Sequence, residues 1–202
     1  MRVLVIADQV ESSLYDYFNP KKLEGVELII SCGDLKKNYL EFLVTMVRCP
    51  LIYVPGNHDD AFLDEPPEGC VCIDDDIFTY KGIRFLGLGG SHRYKCDGVY
   101  QYTERQMKIR VLRLFPKILF KKGFDVMVTH APAFGQGDLD NIPHKGFKCF
   151  LKLIEKYKPG YLFHGHVHTN YDIRISKERE YMDCNIINAC GYRIMDIFGE
   201  KA

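Results

Sequence analysis

The segment GYLFHGHVHTNY, residues 160–171, places three of the chain's seven histidines at His164, His166 and His168. Alternate side chains of an extended segment face one way, so these three rings are expected to crowd together. Neutral imidazoles offer nitrogen lone pairs, and a metal ion is the usual group that draws several of them to one point. Other metal-capable or acid–base residues close four further apolar runs. Asp8 follows VLVIA (3–7), and Gly33 and Asp34 follow VELIIS (26–31). Gly56, Asn57, His58 and Asp59 follow PLIYV (50–54), and His130 follows FDVMVT (124–129). GYLF (160–163) leads into the histidines themselves. Oxygen and imidazole donors without cysteine suit Mn, Fe, Zn, Ni or Co and do not choose among them. Gly33, Gly56 and Gly165 stand just before a candidate ligand or its neighbour, where a residue without Cβ lets the backbone turn sharply or pack closely.

The five runs have strand length and are rich in β-branched or aromatic residues. Helix-capable segments lie between them. LKKNYLEFLVTMV (35–47) and KGFKCFLKLIEKY (145–157) carry apolar residues near helical spacing. Such alternation argues an α/β fold, whose ligands bind beyond the carboxyl ends of the strands. Residues 70–90 and 171–198 instead hold successive strand-like runs (IFTYKGIRFLGL; YDIRIS; YMDCNIIN; YRIMDIF), which predicts hairpins or a second sheet. Two packed sheets with outer helices therefore fit better than one parallel sheet. No linker, repeat or low-complexity tract divides the chain, so residues 1–202 read as a single domain.

Two charged stretches read most simply as solvated surface. In TERQMKIRVLRLFPKILFKK (103–122), Val111, Leu112, Phe115, Ile118 and Leu119 form a helical stripe, and Pro116 predicts a kink or break. Seven basic residues, Arg105, Lys108, Arg110, Arg113, Lys117, Lys121 and Lys122, occupy its other positions as a solvated face. Residues 59–76 carry eight acids and no base around the turn EPPEG. The eight cysteines are scattered, and the lone Cys70-Val71-Cys72 pair is a weak metal signal. They read as reduced and mostly buried.

With GD at 33–34, GNHD at 56–59, TH at 129–130 and GHVH at 165–168, the chain resembles the calcineurin-like metallophosphoesterases in both order and spacing. The resemblance spans residues 3 to 168. It implies an α/β fold, a four-layer αββα sandwich of two mixed β-sheets. It also implies two divalent metal ions (Mn, Fe, Zn, Ni or Co) that activate a hydroxide for attack on a phosphoester. Carried over by motif, Asp34 would bridge the ions. Asn57, His130 and His166 would complete one ion, and Asp8 and His168 would hold the other. His58, with Asp59 beside it, would act as the acid near the leaving oxygen. His164 lies outside the motif and reads as buried or as a support to the ligands. One position departs. The family's first motif is Asp-x-His, and here it is Asp8-Gln9-Val10. Either that ion is held more weakly, or another residue such as His92 substitutes, or the protein is a scaffold on this fold. The intact remaining motifs favour the first.

The loop GLGGSHRYKCDGVYQY (87–102) offers His92, Arg93 and several tyrosines to a substrate, and APAFGQGDLDNIPHKGF (131–147) offers His144. Formal net charge is zero, which argues against a protein that lives on the nucleic-acid backbone. No apolar run approaches the length of a membrane span. The start, MRVLVIADQ, reads as a buried strand rather than a signal segment, so a cytoplasmic protein is expected. The resulting reading is a phosphoesterase acting on a phosphodiester or small phosphorylated metabolite. An impaired interaction scaffold and a small nuclease are the alternatives.

Overall fold

A computed structural model describes residues 1–168 and 177–198. The run YDIRIS lies outside the described residues. Five strands form one sheet in the order β13 (Gly191–Asp196), β1 (Arg2–Ala7), β2 (Leu28–Ser31), β3 (Leu51–Tyr53), β4 (Val71–Cys72). Six form a second, in the order β11 (Glu178–Tyr181), β12 (Cys184–Asn188), β10 (Tyr161–His164), β9 (Val126–Thr129), β6 (Ile83–Leu88), β5 (Asp76–Tyr80). A short parallel pair, β7 (Ser91–His92) and β8 (Gln101–Tyr102), stands apart. Strands β1, β2, β3 and β4 run parallel in the first sheet, as do β6, β9, β10 and β12 in the second. The antiparallel strands β13, β11 and β5 complete both sheets as mixed sheets.

Side-chain alternation along the strands explains the layering. Val3, Val5, Ile30 and Ile52 of the first sheet pack between the sheets on Phe85, Val128, Phe163 and Ile187 of the second. The intervening residues Leu4, Ile6, Ile29 and Leu51 face outward onto Tyr39, Leu40 and Leu43 of α1 (Lys37–Met46). On the far side Leu86, Met127, Leu162 and Ile186 cover Met107, Leu114 and Ile118 of α2 (Glu104–Phe120) and Phe150, Leu153 and Ile154 of α3 (Lys148–Tyr157). Strands buried on both faces read as continuous apolar runs, which is why the five runs stand out in the sequence. The expected four layers and two mixed sheets are present. Among the described residues no helix is long and apolar enough to cross a membrane.

Three expectations are corrected. Helix α2 runs through Pro116 without a break. Pro116 is exposed, so water can take the carbonyl that its missing N–H leaves unpaired. Second, α2 buries Met107, Arg110, Leu114 and Ile118 rather than the whole expected stripe; Leu112, Phe115 and Leu119 face outward. Third, the two charged stretches are not merely solvated, because they meet. Arg110 donates to Asp74 Oδ1 at 2.6 Å, to Asp75 Oδ2 at 3.0 Å and to the Gly89 carbonyl at 2.9 Å. Lys117 pairs with Asp76 at 2.9 Å. A buried guanidinium needs such partners. Of the cysteines, Cys32, Cys149, Cys184 and Cys190 are buried, while Cys72 and Cys96 are exposed.

Candidate metal centre

The parallel strands of both sheets bring their carboxyl ends to one edge. Asp8 follows β1, Asp34 lies just beyond β2, and Asn57 just beyond β3. His130 follows β9, and His166 lies two residues beyond β10. Asp8, Asp34 and His166 have φ angles of +62°, +57° and +68°. A left-handed backbone is costly for a residue with a Cβ and persists only where its surroundings impose it. Here they do. The Asp8 N–H donates to the Gly33 carbonyl at 3.1 Å, and the Asp8 carboxylate accepts the His166 N–H at 3.0 Å. Asp34 Oδ1 accepts the His58 N–H at 2.8 Å. Asp59 Oδ2 accepts the N–H of Asp34 at 2.8 Å and of Gly56 at 2.7 Å. Two glycines permit the close approach. A Cβ on Gly56 would overlap the Asp34 carboxylate, and one on Gly165 would lie 2.6 Å from Ala7 Cβ and 2.7 Å from Asp8 Oδ2.

At the centre His130 is fully buried. Its Nδ1 donates to the Cys32 carbonyl at 2.8 Å. Its Nε2 lies 3.1 Å from Asn57 Oδ1, 3.1 Å from His166 Nδ1 and 3.3 Å from Asp34 Oδ2. His166 Nε2 donates to the Pro143 carbonyl at 2.7 Å, which leaves its Nδ1 lone pair facing His130. Asn57 Nδ2 donates to Tyr94 Oη at 3.2 Å and so turns Oδ1 inward. Asp34, His130 and His166 each offer one ligand atom, all within 4.8 Å of one another. Ligand rings anchored through their second nitrogen are the usual support of a metal site. The electrostatics agree. Burial disfavours charge on His130, yet attraction and a hydrogen bond from Asp34 outweigh it and lift the pKa to about 9. Burial likewise opposes ionisation of Asp34, but the pull of His130 holds its carboxyl well below the usual range. Burial and repulsion from His130 push His166 down to about 3. The pocket favours one positive charge among several acceptors, and a divalent cation fits this donor set.

Among the described residues the Asp8 side holds fewer donors. Asp8 Oδ1 is 3.8 Å from His168 Nε2. Burial raises the Asp8 pKa, His130 counters it, and Asp34 adds repulsion. Val10 packs against the core beneath α1. His92 does not take its place. Its ring stacks on Phe147 with centroids 4.1 Å apart, and its Nε2 is 3.3 Å from the Gly146 carbonyl.

A cavity of about 390 Å³ opens over the site, lined by Asp8, Asp34, His58, Tyr94, His144 and His168 among others. His58 is exposed at it. Asp59 is buried below, where its carboxylate ties two loops together; its observed bonds are to backbone N–H groups. The His144 ring centroid lies 5.1 Å from that of His166. Arg93 donates to the Gln101 carbonyl at 3.2 Å and lines an adjoining cavity of about 430 Å³ that shares Tyr94 and Pro143 with the first. The three-histidine alternation does not hold, because β10 ends at His164 and the left-handed turn at His166 redirects the chain. His164 is buried, bonds the Gly165 carbonyl at 3.0 Å and is pushed by burial to about 4. Sequence reasoning missed the carbonyls of Cys32 and Pro143, which carry no side-chain signal. It counted Tyr94 only among the loop tyrosines offered to a substrate.

Comparison with known proteins extends this geometry. The model of calcineurin-like phosphoesterases matches residues 1–170. An uncharacterised protein of Methanocaldococcus jannaschii is 29% identical over 154 residues, which cover 73% of this chain and 64% of that protein's length. The crystal structure of TT1561 of Thermus thermophilus shares the fold at 13% identity, with a TM-score of 0.63 over 94% of this chain and 89% of that one. An archaeal phosphodiesterase aligns more loosely, at 14% identity and a TM-score of 0.44 over 96% of this chain and 99% of that one. The motif-bearing loops all fall within the matched residues, and the chain belongs to the calcineurin-like phosphoesterase family.

Proposed function

We propose that the chain is a metal-dependent phosphoesterase that hydrolyses a phosphodiester or a small phosphorylated metabolite. One observation carries the reading: Asp34 Oδ2, Asn57 Oδ1 and His166 Nδ1 all lie within 3.3 Å of His130 Nε2, at the floor of an open cavity. Asn57, His130 and His166 would hold one divalent ion and share Asp34 with a second, which Asp8 and His168 would hold. Bound there, the ions supply Lewis acidity toward phosphoryl oxygen and a nucleophile drawn from water. His58 would give a ring proton to the departing alkoxide oxygen, a task suited to imidazole. Asp59 fixes the loop that presents His58.

The test is hydrolysis of a chromogenic phosphodiester by metal-stripped protein reloaded with manganese, beside Asp34→Asn. Turnover in the wild type and its loss in the variant are expected. Full activity in the variant would overturn the assignment. The packing of Val10 favours a second reading, an interaction scaffold with an incomplete centre. That reading predicts negligible metal uptake at both positions after loading with manganese, nickel, cobalt or zinc.

A further inference from the structure

A second cavity, also of about 390 Å³, runs between α2 and α3 and shares no lining residue with the candidate centre. Val111, Ile118 and Leu153 line it beside the half-exposed Phe115 and the more exposed Leu112. Leu112 is 61% exposed, and Leu119 and Phe120 farther along α2 reach 68% and 84%. Such a cluster of exposed apolar side chains on one helix marks an interaction surface. Apart from Glu104, the charged residues that line it are basic. Lys148, Lys152 and Lys156 stand at successive i, i+4 positions of α3 and line the groove, with Lys108 of α2 beside them. Among the described residues no carboxylate pairs with these four. Lys156 instead lies 4.9 Å from the Phe115 ring centroid, and Lys148 lies 5.0 Å from that of Phe134. The acid that lines the groove, Glu104, is spent internally: its carboxylate accepts the N–H groups of Lys148 and Cys149 at 3.0 and 2.8 Å.

We propose that this groove docks an acidic amphipathic helix of a partner protein. The lysine row spans about 12 Å at 1.5 Å per residue, roughly two turns of a facing helix. Apolar side chains at helical spacing would enter between α2 and α3, and carboxylates on the flanks would meet the lysines. Charge disfavours one alternative and shape the other. A second copy docked by two-fold symmetry would set one lysine row against another. A bilayer would suit the lysines, but its flat surface leaves the floor between the helices unfilled.

The test uses two synthetic peptides of about 18 residues with the same leucine stripe, one flanked by glutamates and one by lysines. Binding is read by fluorescence anisotropy at low and high salt. The acidic peptide is expected to bind at least about tenfold more tightly and to weaken with salt. Leu112→Glu should weaken it about tenfold, and the Lys152→Glu/Lys156→Glu double variant should reverse the preference in favour of the basic peptide. All three changes lie on exposed positions, so circular dichroism and phosphodiester turnover should stay unchanged. Equal binding of both peptides, or indifference to the variants, would overturn the proposal. So would Leu112-dependent self-association, or Leu112-dependent binding to phosphatidylserine vesicles without peptide binding.

Discussion

Asp59 shows how a residue beside a reacting group can act through the backbone alone. Its Oδ2 holds the part-buried N–H of Asp34 and the buried N–H of Gly56, and burial lifts its pKa to about 6 despite those bonds. Asp59→Ala leaves both donors unpaired, at a cost of roughly 1–3 kcal/mol each. Lower stability in urea and weaker manganese binding are expected together, since the same loops place Asp34 and His58. Asp59→Asn keeps one acceptor oxygen and should retain most of both. If Asp59→Asn instead lost turnover with stability and metal affinity intact, Asp59 would be a chemical partner of His58 rather than a loop tie. The candidate centre was legible at this scale wherever a side chain supplies the donor. Asp8, Asp34, Asn57, His130 and His166 sit together at the strand ends. Anchors made by the Cys32 and Pro143 carbonyls were not legible, because every residue has a carbonyl. His92 misled for a related reason: its loop is near, but its ring is taken by Phe147.

Arg84 on β6 shows how the elements are fastened around that edge. Its guanidinium donates to Asp125 at 2.8 and 2.6 Å and to the carbonyls of Lys121 and Lys122 at 2.9 and 2.6 Å. It therefore joins the C-terminus of α2 to the entry of β9, the strand that delivers His130. The hydrogen bond from Arg84 holds the Asp125 carboxyl below its ordinary range, with burial acting against it. A depressed carboxyl adds stability that is complete above the unfolded pKa and is lost as pH falls through the folded one. The acid limb of stability should thus steepen below about pH 4, the ordinary aspartate value. Asp125→Asn should flatten that limb while lowering stability at neutral pH. Urea midpoints at several acidic pH values check this, and an unchanged acid limb in the variant would discount the pair. At this scale the sequence is informative where burial has one cause. All five apolar runs became strands because both sheet faces are covered. The α2 stripe misled because Arg110 competes for the buried face. An arginine reads as surface until Asp74 and Asp75, 35 or so residues earlier, are seen beneath it.

The whole molecule is two sheets whose shared apolar layer ends at the candidate centre. Asp34 and Asn57 come from the first sheet, and His130 and His166 from the second. A cation held by all four would tie the sheets where their strands stop and the apolar layer gives way to charge. Binding only the folded state, it must stabilise that state by mass action, about 2.7 kcal/mol when free metal is 100 times its Kd. A chain of this length gains roughly 2–4 °C in Tm per kcal/mol, so manganese should raise Tm by about 5–11 °C over chelator-treated protein. The Asp8 side, with fewer donors, should fill second. The titration should therefore show two steps, with Asp8→Asn keeping the first and Asp34→Asn losing both. Asp34→Asn should also start from an altered baseline, since it removes the carboxylate charge that raises the His130 pKa. A single step that survives Asp34→Asn would place the stabilising ion elsewhere on the molecule and separate metal binding from this edge of the sheets.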